Sequence, residues 1–298
     1  MLWEGNYCGR SGSNDSWGIQ DKKIRREILG GIPWKQYFLA VQKGNALEEY
    51  PKEDGNILVI APHPDDDVLG AGGTMAAAAQ QGMGVFAVYI TDGRGSPRMN
   101  LMISDEEMAA QRKKEALSAL KTTGAVGGFF LEKQSGELTG EAQKETEEIL
   151  IRILEWLRPR EVFLPEPYER HPTHQRCTQI GLQALRRTPG LKSNLLGYSL
   201  WGSFWGARKR MVRDITPFIQ KKVEAIMAHS SQLAYKNYQQ GIIGKNNYEA
   251  IFGESHAVSA ASFVEIFLNM NELLENREMT VANFIRQDME AFIRAFCL

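Results

Sequence analysis

The chain reads as an α/β protein on a Rossmann-like, doubly wound and mostly parallel sheet with helices on both faces, and three observations predict it. Short apolar runs recur at Ile57–Pro62 (ILVIAP), Val85–Thr91 (VFAVYIT), Phe129–Leu131 and Glu161–Pro165 (EVFLP). Longer stretches with helical periodicity lie between them. The runs are apolar at successive positions instead of alternate ones, the habit of strands buried on both faces of a parallel sheet.

Taken in order, residues 1–20 are rich in Gly, Ser and Asn and lack periodicity, which predicts a loose arm carrying Trp3 and Trp17. Helical spacing follows at Asp21–Leu29 and Trp34–Lys43, and the charged linker EEYPKEDG closes an N-terminal portion, 1–55, ahead of a main domain, 56–298. In that domain a helix starts near Val68. Another covers Asp105–Thr122, opened by Ser104 with Glu107 three residues on, a capping box. Glu141–Leu157 carries Ile149, Leu150, Ile153, Leu154 and Leu157 on one face. Beyond His174 strands are expected at Leu195–Trp201, Lys209–Ile215 and Val258–Phe267, with helices at Pro217–Met227 and Val281–Phe296. In the last helix Ile285, Met289, Phe292 and Phe296 make a packing or interface face.

Composition narrows the function. Of 298 residues 43% are apolar and 24% charged, with a formal charge of −1. No basic field gathers phosphates, so nucleic acid and anionic membrane surfaces are not expected partners. Cys8, Cys177 and Cys297 are scattered and odd in number, which predicts reduced thiols and not a disulfide framework. No basic leader precedes an apolar core, and no apolar run approaches the ~20 residues that span a bilayer. A soluble, cytoplasmic protein is expected.

The informative stretch is IAPHPDDDVLGAGG, residues 60–73, directly after the first strand of the main domain. It therefore sits at the carboxyl end of the sheet, where doubly wound folds bind ligands. Asp65, Asp66 and Asp67 repel one another there unless positive charge lies among them, and a divalent cation supplies it. Pro62 and Pro64 stiffen the loop around His63. A solvated acidic helix cap would explain the carboxylates but not this histidine between prolines. A dinucleotide loop fails, because the last glycine of GxGxxG would fall on Met75 and the carboxylates occupy the pyrophosphate's place. Gly70, Gly72 and Gly73 are better explained by close helix–sheet packing. After the fourth strand comes LPEPYERHPTHQ, with His171 and His174 at helical spacing, two of the chain's five histidines. Charge alone does not decide which aspartate binds the metal.

PHPDDDVLGAGG resembles the (A/P)HPDDE motif of the LmbE/PIG-L family of zinc-dependent N-acetylglucosaminyl deacetylases, and HPTH resembles its second motif, HPDH. ITDGRGS and Lys222-VEAIMAHSSQ also fit, so the resemblance runs from about 56 to 235. It implies His63, Asp66 and His174 as ligands of Zn2+ or another divalent ion, and Asp65 as general base. It further implies His171 as the group that stabilises the oxyanion or protonates the amine, and Arg94 as a substrate contact. Asp67, in place of the family's Glu, becomes a supporting group, and Thr173 replaces the Asp of HPDH. The implied reaction is hydrolysis of the acetyl group from an N-acetylglucosamine-type conjugate, a small molecule or glycoconjugate, in a chain with room for homo-oligomer assembly. Two alternatives stand beside it. His63, Asp65 and His174 spell the HxD…H triad of non-haem iron(II) oxygenases, and a metal-stabilised binding module would need no catalysis. His229 and His256 have no assigned role, while Trp201, Phe204 and Trp205 are candidates to stack on a sugar.

Overall fold

The computed structural model describes residues 33–41, 55–98, 102–201, 206–252 and 262–296. The expected arm, the helix at Asp21–Leu29, Cys8, Cys297, Phe204, Trp205 and His256 lie outside the described residues.

The apolar runs become strands of one eight-stranded sheet: β1 Phe38–Ala40, β2 Asn56–Ala61, β3 Gly84–Thr91, β4 Gly127–Lys133, β5 Glu161–Pro165, β6 Asn194–Tyr198, β7 Arg210–Asp214 and β8 Val264–Asn269. Their order is β1-β4-β3-β2-β5-β6-β8-β7. The five central strands are parallel, and β1, β8 and β7 extend the two ends through antiparallel pairings. Every residue of β2, β3 and β5 is buried, because helices cover both faces.

On one face lie α1 (Asp66–Gln80) and α2 (Asp105–Thr123), where Ile57, Val59, Ala87 and Tyr89 meet Met75, Ala116 and Leu120 in one apolar cluster. On the other lie α3 (Gly140–Leu157) and α4 (Pro172–Arg187). There Trp156 of α3 reaches Phe86, ring centroids 6.1 Å apart, and Trp34, 5.2 Å. The capping box of α2 forms as its sequence predicts: Glu107 N–H donates to Ser104 Oγ (3.1 Å) and Ser104 N–H to Glu107 Oε2 (2.7 Å).

Three segments depart from expectation. Trp34–Ala40 is not a helix: a 3-10 turn at Trp34–Tyr37 runs into β1, which pairs with β4. The sheet thus begins ahead of the expected boundary at residue 55. Phe38 packs on Phe129 with centroids 5.0 Å apart, and pairing plus aromatic burial outweighs the local helical spacing. The last expected strand, Val258–Phe267, is found at Val264–Asn269. A helix that periodicity did not predict, α7 (Tyr238–Phe252), follows the short helices α5 (Ile219–Met227) and α6 (Ser230–Leu233), and α8 (Asn271–Glu275) and α9 (Val281–Phe296) close the chain. Among the described residues no helix is long and apolar enough to cross a membrane.

The glycines of α1 serve packing. A Cβ on Gly70 would stand 2.5 Å from the Tyr198 ring, and one on Gly73 would meet Ile215 at 2.7 Å. The helix also breaks at Ala71 (φ −136°, ψ 15°). The break frees two backbone donors, and one buried carboxylate takes both: Gly73 N–H donates to Glu265 Oε1 (2.9 Å) and Thr74 N–H to Glu265 Oε2 (2.8 Å). Lys222 Nζ, fully buried, donates to the same carboxylate at 2.6 Å. A buried pair of this kind gives little net stability, yet stripping one partner leaves an uncompensated charge. Glu265→Leu should therefore cost roughly 3–5 kcal/mol in urea unfolding, and adding Lys222→Met to it should recover part of the loss. Equal destabilisation of single and double variants would refute the clamp.

Candidate metal centre

β2 sends the chain to β3 on one side, while β5 lies on its other side, so the gap beyond the carboxyl ends of β2 and β5 is the sheet's topological switch point. Both motifs emerge there. His63–Asp67 leaves β2 and enters α1, and His171–His174 follows β5 and opens α4, with Pro172 in its first turn.

The loop after β2 is a tight turn in which Asp65 N–H donates to the His63 carbonyl at 2.9 Å. His63 N–H returns a bond to Asp66 Oδ2 at 2.9 Å, and its ring Nδ1 lies 3.0 Å from the same oxygen. His174 brings Nε2 to within 3.3 Å of that oxygen from α4. One carboxylate oxygen thus sits between two imidazoles contributed by two strand ends. Burial opposes charge on Asp66, but His174 and His63 outweigh it and hold this carboxyl well below the usual range. Burial likewise disfavours charge on His174, yet Asp66 and Glu169 push it up to about 10. A group of this sort holds a proton where a cation fits.

The donor set suits a divalent ion. Among the described residues His63, Asp66 and His174 offer ligand atoms that all lie within 4.8 Å of one another. Ligands ~2.0–2.2 Å from one zinc ion stand roughly 3–4 Å apart. Two imidazoles and one carboxylate also leave a position open, the pattern of catalytic and not structural sites.

The three consecutive aspartates separate by partner. Asp65 Oδ1 accepts from Arg112 Nη2 of α2 at 2.7 Å, both groups being buried. Arg112 Nη1 also donates to Ser96 Oγ (2.5 Å) and the Gly93 carbonyl (3.3 Å), which ties the loop after β3 to Asp65. Asp67 accepts from the Tyr89 hydroxyl at 2.7 Å, and burial raises it to about 7. Asp66 alone faces the histidines, so the HxD…H triad with Asp65 is not assembled, and the sheet is not the double-stranded β-helix such oxygenases use.

Behind His174, Glu169 Oε2 lies 3.3 Å from Nδ1. This fully buried carboxylate is fixed by the backbone N–H groups of Leu200 and Trp201. A carboxylate behind a ligating histidine sets its tautomer and ring orientation. His171 is exposed at the mouth, its ring 4.9 Å from that of His174 and 5.3 Å from that of His63. Burial, then the neighbouring His174 and His63, lowers its pKa. Neither Arg112 nor Glu169 was singled out from sequence. Arg112 sits in a charged helical run that reads as solvated, and Glu169 has no informative spacing.

These groups line a cleft of about 500 Å3, walled by the Gly93–Pro97 loop, Trp201 and the segment from Gln232 to Tyr238. Glu115 of α2 holds that last wall, accepting from Ser231 N–H (2.9 Å) and Ser231 Oγ (2.7 Å). Arg94 is not among the cleft's lining residues. Its Nε donates to Asp92 Oδ2 at 2.7 Å, and it lines a neighbouring pocket of about 300 Å3 with Pro64, Lys113 and Phe130.

His229 is buried under the cleft, and neither ring nitrogen has a hydrogen-bond partner among the described residues. Burial lowers its pKa to about 4. The unfolded chain takes up this proton as pH falls through ~6.5, whereas the folded chain waits until about 4. The stability His229 contributes is therefore complete above ~6.5 and lost progressively down to 4, roughly 3 kcal/mol in all. His229→Gln should flatten the pH dependence of unfolding in that window by about this amount. Identical slopes in both proteins would contradict a neutral buried imidazole.

The domain model described as GlcNAc-PI de-N-acetylase (PIG-L) matches residues 58–185. The diacetylchitobiose deacetylase of Thermococcus kodakarensis is 27% identical over 190 residues, 59% of this chain and 69% of that protein. Two solved structures share the fold. The N,N'-diacetylchitobiose deacetylase of Pyrococcus horikoshii has a TM-score of 0.60 at 24% identity, covering 89% of this chain and 96% of that one. The 4-carboxy-2-hydroxymuconate hydratase of Pseudomonas putida has a TM-score of 0.61 at 18% identity, covering 72% and 96%.

Proposed function

We propose that this chain, which carries a PIG-L/LmbE family domain, is a metal-dependent hydrolase that removes the acetyl group from an N-acetylglucosamine-type conjugate. Deacetylase relatives support the reaction class. The observation that carries it to particular residues is Asp65. It adjoins the ligand Asp66, lines the cleft, and engages one oxygen with Arg112, which leaves the other for a water.

In this reading His63, Asp66 and His174 hold the metal, zinc being the proposed ion. Once bound it supplies a Lewis acid beside the amide carbonyl and raises the acidity of water in the cleft, to a pKa of roughly 7 for zinc. Asp65 accepts a proton as the water oxygen adds to the acetamide carbon. Arg112 fixes the Asp65 carboxylate in that position. His171, at the mouth, donates a hydrogen bond to the developing oxyanion or a proton to the nitrogen as the C–N bond breaks. Acetate and a free amine leave. Among the described residues no carboxylate lies within hydrogen-bond reach of His171, and burial with the neighbouring His174 and His63 lowers its pKa. Asp67 and Tyr89 support the ligand turn from beneath, and Glu169 orients His174. Arg94, paired with Asp92, reaches substrate only by leaving that partner.

The hydratase that shares the fold shows that architecture alone does not select this chemistry. Asp65→Asn keeps the shape and the ligands while removing the base. It should retain stoichiometric metal and lose ~10^2–10^4 of acetate release from a metal-loaded enzyme. A rate within a few-fold of wild type would remove Asp65 from the mechanism.

A further inference from the structure

The cleft's outer wall carries a charge that amide hydrolysis does not use. Lys236 lines the cleft, and among the described residues no carboxylate lies within salt-bridge distance of its ammonium. Its neighbours are aromatic: Nζ stands 5.5 Å from the Trp201 ring centroid and 5.0 Å from that of Tyr235. Tyr238 meets Trp201 edge-on at 5.8 Å and 86°. Ring faces steer an ammonium without neutralising it. Lys236 is exposed, and its ammonium stands within cation–π distance of both rings.

The other charges of the cleft are engaged. Its lining carboxylates are Asp65 and Asp66, the first paired with Arg112 and the second with the two histidines. Nearby cations have partners of their own: Arg94 has Asp92, Arg98 has Asp105, and Lys245 has Glu249. With Arg112 cancelling Asp65, the cleft carries surplus positive charge at Lys236, beyond the reacting centre. The wall that holds it is anchored, since Glu115 pins the start of α6 through Ser230 and Ser231.

We infer that Trp201, Tyr235, Tyr238 and Lys236 form a subsite for an anionic aglycone, and that Lys236 selects conjugates bearing a carboxylate or phosphate there. This rests on the deacetylase reading for where the sugar sits, but the charge preference is independent of turnover. The aromatic faces take the ring of the conjugate, and the ammonium takes its anion.

The probes are aryl N-acetylglucosaminides that differ at one position: 4-carboxyphenyl, 4-phosphonooxyphenyl and the neutral isostere 4-carbamoylphenyl. Binding is read by calorimetry on the metal-loaded protein, with acetate release recorded separately. The anionic probes should bind roughly 5–10-fold more tightly than the carboxamide, with a preference that shrinks as salt rises. Whichever anion gains more identifies the source of the charge. Lys236→Met should remove the preference while leaving carboxamide binding within twofold, and Lys236→Arg should restore it. Equal affinity for charged and neutral probes, or equal losses on both in Lys236→Met, would overturn the subsite. Preference without acetate release from any probe would instead sink the deacetylase reading and leave the subsite standing.

Discussion

Three adjacent carboxylates at the end of one strand are the constraint on which this structure turns. Like charges about 4 Å apart repel by roughly 4 kcal/mol at the dielectric of a protein surface, and burial makes that worse. The fold answers with a different partner for each. Asp65 receives a guanidinium from α2, Asp67 receives a phenol from β3, and Asp66 receives two imidazoles. Those partners come from separate elements, so the site exists only once the sheet and its helices have assembled. The same division separates the roles: the aspartate between imidazoles suits a cation, and the one beside Arg112 suits a water.

The rest of the architecture holds that loop still. Gly70 and Gly73 let α1 lie against Tyr198 and Ile215, so its first turn stays over the end of β2. The break at Ala71 would waste two backbone donors were Glu265 not there to accept them. Glu265 and its partner Lys222 both lie beyond residue 185, where the domain match ends. The C-terminal part of the chain is therefore a structural component of the centre, and through Lys236 and Tyr238 it also walls the cleft.

Much of this was legible in the residues. Continuous apolar runs declared a parallel sheet, and histidines and aspartates bunched after two of those runs marked the loops that meet at the candidate centre. Family resemblance proposed Asp66 as ligand and Asp65 as base; in the structure Asp66 lies between two imidazoles and Asp65 beside Arg112. Long-range partners were not legible: Arg112 lies 47 residues from Asp65, in a helix whose RKKE run looks merely solvated. Helix α7 escaped because the residues it buries are Ile242, Asn246 and Glu249, which make no apolar stripe. Its Asn246 side chain instead donates to the Val264 carbonyl at 2.7 Å. Arg94 looked like a substrate contact in TDGR, but the aspartate two residues before it takes the guanidinium.

The central claim is that His63, Asp66 and His174 hold a divalent ion without which no acetyl group is hydrolysed. Metal content and acetate release measured on the same samples test it most directly. Wild-type protein should carry a single ion per chain and release acetate from an N-acetylglucosamine conjugate, chelation should abolish release, and Asp66→Ala should lose both metal and release. Undiminished release after full chelation, or a normally metallated and active Asp66→Ala variant, would contradict the account.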